Sequence, residues 1–193
     1  MSWPARKHSS IRLWITRIVA AGVAFVLFAA TLGLIEQAIF AARSRRHYPA
    51  PGKLVEVAWY QMHINCMGNG TPTVIMESGL GGYSLDWTLV QPEVAKFTRV
   101  CAYDRAGLGW SQARPEARIS NEIANELSSL LAASGIIGPY VMIAHSIGGY
   151  HARVFASQHH AQIAGFVLVD SSHPEQETRS QKSGPSTRKS GNS

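Results

Sequence analysis

The sequence has little cysteine, and its middle part has no excess of basic residues. Only Cys66 and Cys101 are cysteines among the 193 residues, which is too few for a disulfide scaffold and gives no metal-ligand spacing. This scarcity excludes cysteine-based metal sites and disulfide-rich scaffolds. Because each cysteine lies in an apolar or strand-like run, we expect buried free thiols. A single disulfide is the alternative if the domain lies in an oxidising compartment.

The formal net charge of +6 belongs to the two ends of the chain. Residues 1–53 hold eight Lys or Arg against one acid, and residues 176–193 hold four against one. The segment between them, 54–175, holds six Lys or Arg against ten Asp or Glu, a balance of −4. A nucleic-acid interface requires cations clustered on the folded domain itself. We therefore expect no nucleic-acid partner.

A long apolar run near the N-terminus predicts a membrane anchor. The run "IVAAGVAFVLFAATLGLI", residues 18–35, has no charged side chain and continues through "EQAIFAA" to residue 42. A helix crosses a bilayer core with about 20 apolar residues. We expect a basic N-terminal segment over 1–17 and a transmembrane helix over 18–42. A cleaved signal peptide and a buried core helix are the alternatives, but the run is long for a signal and lacks a small-x-small cleavage site.

The charges beside this run leave its orientation open. Four basic residues precede it and four come after it, so the loop-charge rule gives no direction. A single N-terminal anchor commonly exports the domain on its C-terminal side, which favours an extracytoplasmic domain. Residues 43–52, "RSRRHYPAPG", are typical of a short linker stiffened by proline.

Strand-like and helix-like segments alternate over residues 53–175. Two strand patterns, "LVEVAWY" and "QMHINC", predict a hairpin, and helical patterns separate the later strands "TVIMES", "TRVCAYD", "YVMIA" and "IAGFVLVD". This order predicts an α/β fold with a mostly parallel sheet and helices on both faces. Functional sites in such sheets lie beyond the carboxyl ends of the strands.

The stretch "AHSIGGY" places Ser146 between a strand and a helix, where a sharp turn would expose its hydroxyl. The turn requires small residues two positions before and after the serine, and Ala144 and Gly148 meet that requirement. The backbone N–H of Ile147 opens the helix and could stabilise an oxyanion. A second donor is expected from the glycine-rich "SGLGG" loop, with Leu80 as the preferred residue.

These segments together resemble the N-terminal part of the α/β-hydrolase superfamily, of the membrane-anchored bacterial serine-hydrolase type. The resemblance rests on "ESGLGG", "VCAYDRAGLGWS", "VMIAHSIGGY" and "GFVLVDSSHP", in that order. It implies that Ser146 is the catalytic nucleophile and that Leu80 and Ile147 form the oxyanion hole. It also implies a chiefly structural role for the loop that begins with Asp104 and Arg105. Ser78 stands where the family often has His-Gly, which predicts weaker bracing of the oxyanion loop.

The resemblance also implies a catalytic acid and histidine after the serine, and the sequence supplies them poorly. The family places its histidine on the order of a hundred residues beyond the serine, whereas 47 residues follow Ser146 here. Among the later histidines, only His173 is expected at the carboxyl edge of the sheet. Asp170 ends the same strand, where a structural role is the main alternative. We expect a hydrolase domain over 53–175 truncated after its sixth strand, followed by a disordered tail over 176–193.

Two functions from different classes are compatible with these patterns. The first is a membrane-anchored serine hydrolase that acts on small ester, amide or related acyl substrates through an acyl-enzyme, impaired by the missing histidine. It needs neither a metal nor an organic cofactor. The second is a non-catalytic remnant or a membrane-tethered binding protein that keeps the first half of the fold. A serine at this turn argues against dehalogenase and epoxide-hydrolase chemistry, which the same fold performs with aspartate.

Overall fold

The computed structural model describes residues 8–115, 118–173 and 175. The chain divides into two compact units, one ending at Pro49 and the other beginning at Ala50. The tail predicted over 176–193 lies outside the described residues.

The first unit contains one helix, α1 (His8–His47). Its segment Leu13–Ser44 is long and apolar enough to cross a membrane, by length and composition. The helix continues five residues into the segment 43–52 that we predicted as a linker. The helix extends there because residues 43–47 contain no proline, and Pro49 is the first residue after them that cannot continue the helix.

The second unit is a six-stranded sheet with helices on both faces. Its strands are β1 (Lys53–Val57), β2 (Tyr60–Met67), β3 (Thr73–Glu77), β4 (Val100–Tyr103), β5 (Tyr140–His145) and β6 (Ile163–Val169). Its helices are the short α2 (Gln91–Val94), α3 (Ser120–Ala133) and α4 (Gly148–Gln158), and 3-10 turns span Ser84–Trp87 and His160–Gln162.

The sheet order is β1-β2-β4-β3-β5-β6. Strands β4, β3, β5 and β6 are parallel, whereas β1 and β2 form an antiparallel hairpin at one edge. The predicted α/β fold with a mostly parallel sheet is therefore confirmed. Parallel pairing places the ends of β3, β4 and β5 at one edge, so the three polar loops after these strands meet there.

Each face of the sheet has its own apolar core. One core packs under α3 and α4 and contains Leu127, Met142 and Phe155. The other lies under α2 and contains Met76, Trp87 and Val100. Strands β3 and β4 are buried along their whole length, whereas β6 is largely exposed. The best-packed part of the sheet is therefore its centre, next to the strand that leads to Ser146.

The two cysteines form a disulfide between β2 and β4. Cys66 and Cys101 are directly paired residues of these antiparallel strands, so their side chains lie on the same face of the sheet. The expectation of two free thiols was therefore wrong, and the alternative of a single disulfide holds. The sequence hides this because the two residues are 35 positions apart.

Candidate active site

Ser146 lies in a sharp turn between β5 and α4. Its φ of +53° falls in the left-handed region, which is uncommon for a residue with a side chain. The Ser146 N–H donates to the Val169 carbonyl at 3.2 Å, and its own carbonyl accepts from the N–H groups of Ser172 and Gly149 at 3.0 and 3.1 Å. These hydrogen bonds hold the strained backbone in place.

The turn has no room for side chains at two of its glycines. A Cβ atom added to Gly148 would lie 2.6 Å from the Ser78 carbonyl oxygen and 2.8 Å from that of Glu77. One added to Gly149 would overlap the Ser171 hydroxyl. Ala144, two positions before the serine, is fully buried yet accommodates its methyl group. The relaxed pattern Ala-x-Ser-x-Gly is thus compatible with this turn.

The glycine-rich loop after β3 packs directly against the turn. A Cβ atom at Gly79 would lie 2.9 Å from His145 Nδ1 and 3.3 Å from Ser146 Cβ. The Leu80 side chain is 86% exposed, beside this close approach. Within the described residues, neither the Leu80 N–H nor the Ile147 N–H donates a hydrogen bond to the protein. The structure therefore leaves both predicted oxyanion donors without an internal acceptor.

The loop is braced through Ser78. Its hydroxyl donates to the Tyr83 carbonyl at 3.1 Å and accepts from the Trp87 indole N–H at 2.8 Å. We predicted weaker bracing because this residue replaces a common histidine, and the structure shows that the serine itself braces the loop through two hydrogen bonds. The serine is 4% exposed and its hydroxyl is hydrogen-bonded on both sides.

Arg105 adds a second and stronger brace. Its guanidinium donates to the carbonyl oxygens of Ser78, at 2.6 Å, and Gly79, and it forms a buried ion pair with Glu77. Glu77 also accepts a hydrogen bond from the Tyr103 hydroxyl. Burial raises the pKa of Glu77 above its ordinary value, against the opposing effect of the Arg105 charge. Because the guanidinium occupies the loop's carbonyl groups, Arg105 fixes the backbone on which Leu80 lies.

Asp104, the residue before Arg105, organises the loop after β4. Its carboxylate accepts from the N–H groups of Ser84 and Trp110, at 2.8 and 2.9 Å, and lies 3.0 Å from His63 Nδ1. Burial acts to raise the pKa of Asp104, but the hydrogen bonds outweigh it and lower the pKa below its ordinary value. The other ring nitrogen of His63 accepts from the Gly52 N–H at 3.2 Å, so Nδ1 carries the proton given to Asp104.

Sequence reasoning missed His63, because nothing in "QMHINC" distinguishes this histidine from a surface residue. It is fully buried on β2, and β4 and β3 lie between β2 and the strand that carries Ser146. His63 therefore holds the Asp104 loop and the start of β1 rather than the serine.

The predicted acid and base lie at the edge beyond β6. Asp170 is exposed, with φ +42°, directly after that strand. His173 accepts from the Tyr150 hydroxyl through its carbonyl at 2.8 Å and from the Glu175 N–H through Nδ1 at 3.2 Å. Neither residue hydrogen-bonds the Ser146 hydroxyl, and no other side chain among the described residues does so.

The other histidines after Ser146 lie elsewhere. His151 is buried and its Nδ1 lies 3.0 Å from the Ser120 hydroxyl of α3. Burial, with the charges of Arg105 and Arg118, lowers the pKa of His151 to about 4. His159 packs on Phe155 at the far end of α4, and His160 follows it. Their placement away from the turn agrees with the sequence-based expectation.

A cavity of about 260 Å³ reaches the turn at His145, the residue before Ser146. Among the residues that line it are Ser78, Trp87, Val90, His145 and Val169, so it joins the glycine-rich loop to the end of β6. Trp87 both packs in the core and lines this cavity. In the part of the chain that the structure describes, no group of three His, Cys, Asp or Glu side chains could hold a metal ion.

A family model described as "alpha/beta hydrolase fold" matches residues 72–191. The chain is 31% identical over 154 residues to an uncharacterized protein of Schizosaccharomyces pombe, covering 63% of this chain and 28% of that protein. It is 30% identical over 134 residues to an uncharacterized vacuolar membrane protein of Saccharomyces cerevisiae, covering 60% of this chain and 21% of that protein. The chain thus spans less than a third of the length of both relatives.

Solved structures with the same fold include the epoxide hydrolase CorEH. The TM-score is 0.57 at 25% sequence identity, and the match covers 62% of this chain and 41% of that one.

Proposed function

Because the chain belongs to the α/β-hydrolase family, we propose that it is a serine hydrolase that acts on small ester, amide or related acyl substrates. Ser146 Oγ attacks the acyl carbon and gives up its proton to a base. The carbonyl oxygen becomes an oxyanion that accepts hydrogen bonds from the Leu80 and Ile147 N–H groups. The alcohol or amine leaves with a proton, and water then hydrolyses the acyl-enzyme.

The observation that carries this proposal is the strained turn at Ser146 together with the loop packed against it. A positive φ at a non-glycine residue costs free energy and persists where the surroundings impose it. Here Gly79 lies against the serine Cβ, and the two N–H groups beside it have no acceptor within the described residues. Such an arrangement suits an oxyanion that forms only during the reaction.

The serine side chain at the turn favours acyl transfer over epoxide hydrolysis, the reaction for which the structural neighbour CorEH is named. In this fold, epoxide-hydrolase chemistry uses an aspartate at the position of Ser146. A serine hydroxyl instead suits attack on a carbonyl carbon. The 260 Å³ cavity that reaches from the turn to Trp87 and Val90 is the proposed acyl site.

We further propose that catalysis by this chain is impaired for lack of a base. Within the described residues, no histidine hydrogen-bonds the Ser146 hydroxyl. Of the two predicted partners, His173 is the proposed base, because the neighbouring Ser172 N–H is hydrogen-bonded to the Ser146 carbonyl. Asp170 remains the proposed acid. An oxyanion hole without a base retains only a small part of the rate enhancement.

Among the described residues no histidine hydrogen-bonds the Ser146 hydroxyl, and this observation also favours the second function, binding without catalysis. A fluorophosphonate probe distinguishes the two functions, because it labels only an activated serine. We expect slow but measurable labelling of the full-length chain, none of Ser146→Ala, and unchanged labelling of Ser157→Ala, which alters an exposed serine of α4. Folded protein that never labels would leave binding as the function.

We propose that α1 anchors the domain to a membrane and that the domain lies on the oxidising side. Its apolar segment supports the anchor, and the disulfide between Cys66 and Cys101 supports the side. The test is to denature the chain taken from intact cells and to label its cysteines with a maleimide, once without and once with prior reduction. We expect both cysteines to react only after reduction. Labelling before reduction would place the domain in a reducing compartment.

A further inference from the structure

A cavity of about 660 Å³ opens at the amino edge of the sheet, opposite the edge that holds Ser146. It lies among the start of β1, the end of β2, the residue before β4 and the end of α3. The lining residues that matter are Lys53, Arg99, Asn65, Asn69, Val55 and Ile64.

Strand register places the two cations on one face of the sheet. Lys53 is paired with Ile64, and side chains of paired residues point to the same face. Arg99 stands two positions before Cys101, and residues two apart along a strand share a face. Ile64 and Cys101 both belong to the core under α3. Both cations therefore belong to the α3 side, where they line one cavity.

Neither cation is paired with an acidic residue of the part of the chain that the structure describes. Within the described residues, no carboxylate oxygen lies within 4.0 Å of a Lys53 or Arg99 side-chain nitrogen, whereas Lys96 and Arg105 are both paired. Across residues 8–115, 118–173 and 175, no acidic side chain is among those that line the cavity. Arg99 is half-buried, and a partly buried charge without a partner is unfavourable unless an anion joins it. This pair is unusual in a segment whose own balance is negative.

The cavity combines this charge with apolar walls. Val55, Ile64 and Cys66 line the cavity beside the cations, and Asn69, in the turn after β2, lines it as well. An arginine fork with a lysine point charge matches a phosphate group. The end of α3 also lines the cavity, but its dipole amounts to only about half a negative charge against two positive ones.

We propose that this cavity binds a phosphate group carried on a partly apolar molecule, with Arg99 and Lys53 as its charged ligands. Two sources fit this chemistry: a phospholipid headgroup and a free phosphate compound. Pro51, which also lines the cavity, follows the last residue of α1 by four positions. The lipid source depends on the proposed membrane anchor, whereas the free-phosphate source does not.

The test uses the full-length chain in nanodiscs of phosphatidylcholine. In one arm, inorganic phosphate is titrated and its binding is measured by equilibrium dialysis. In the other, the discs contain about 30% phosphatidylglycerol, and native mass spectrometry counts the anionic lipids retained on each chain. Arg99→Gln and Lys53→Gln remove the proposed ligands. Lys96→Gln is the matched control, because it removes one cation that is exposed and outside the cavity.

We expect Arg99→Gln to weaken binding about tenfold and Lys53→Gln somewhat less, with Lys96→Gln unchanged. An effect confined to the lipid arm identifies a lipid headgroup, and saturable binding in the phosphate arm identifies a soluble ligand. The proposal fails if neither arm shows binding, or if all three variants bind like the unmodified chain. Should Arg99→Gln not fold, Lys53→Gln decides, because Lys53 is exposed.

Discussion

The two sides of Ser146 differ in how completely their groups are packed and paired. Toward β4, Arg105 and Glu77 form a buried ion pair and the loop carbonyls have donors. Toward β6, four successive apolar residues from Phe166 to Val169 are each exposed by 39% or more. Ser146 is hydrogen-bonded to the β6 side, through the Val169 carbonyl and the Ser172 N–H, and within its own turn through the Gly149 N–H.

The difference separates two parts of the proposed chemistry. The oxyanion loop depends on the β4 side, where buried and paired groups hold the backbone in one position. The proposed acid and base depend on the β6 side, where Asp170 and His173 are exposed. The preorganised half of the site is thus the half that stabilises charge. Substitutions on the β4 side and on the β6 side can test whether the β4 side contributes more both to the free energy of unfolding and to the reactivity of Ser146.

The largest effect is expected from Arg105→Met. The change leaves the Glu77 carboxylate buried with only the Tyr103 hydroxyl, and breaking such a pair costs about 3–5 kcal/mol of unfolding free energy. Fluorophosphonate labelling should fall as well, because the Ser78 and Gly79 carbonyls lose their donor. Urea unfolding of the full-length chain in detergent micelles, followed by circular dichroism, measures the change.

Arg118→Met is the matched control for this prediction. Arg118 is paired with Glu126, which keeps Arg114 as a second partner. The loss should therefore be about 1 kcal/mol or less, with labelling unchanged. Equal losses in the two variants would mean that the β4 side has no special role.

The next effect concerns His151, which belongs to α4 and lies against Ser120 of α3. Burial lowers its folded pKa to about 4, below the ordinary value of 6.5. Between these values the unfolded chain binds more protons, so stability is fully present above about pH 6.5 and falls toward pH 4. The loss reaches at most about 3 kcal/mol.

The comparison of His151→Gln with the unmodified chain at pH 7 and pH 4.5 isolates this contribution. Glutamine keeps a polar partner for Ser120 but does not titrate. Other titrating groups act alike in both proteins, so the variant should lose less stability on acidification. Identical losses would contradict neutral burial of His151.

The sequence predicted most of the fold and the position of Ser146, because these follow from local patterns. Alternating apolar segments gave six strands in the right places, and the small residues around Ser146 predicted a sharp turn. The helix ends at His47 and not at residue 42, where we expected the linker to begin, because no proline interrupts it before Pro49.

The rest depended on contacts between distant residues. The disulfide joins strands 35 positions apart, and the Arg105 brace reaches back to Ser78 and Gly79. His63 finds its partner only when β2 pairs with β4. A local pattern contains no information about such partners, so the braced side of the site was not visible in the sequence.

Two glycine substitutions compare the sides directly. Gly148→Ala places a methyl group 2.6 and 2.8 Å from backbone oxygens that cannot easily move, which should cost about 1–3 kcal/mol. Gly165→Ala on β6 meets no atom within 4 Å and should raise stability by about 0.5 kcal/mol, because alanine restricts the unfolded chain. Urea midpoints measure both. Comparable losses would show that β6 is packed as tightly as the turn.

The smallest effect is expected on β6 itself. Val167 is 49% exposed, so Val167→Thr should change the free energy of unfolding by less than about 0.5 kcal/mol. The same substitution at the fully buried Val100 of β4 places a hydroxyl in the core under α2, where it costs about 1–3 kcal/mol unless it finds a partner. Thermal unfolding of both variants in one micelle preparation gives the comparison. A loss at Val167 as large as that at Val100 would mean that this face of β6 is covered in solution, and the division between the two sides of Ser146 would then disappear.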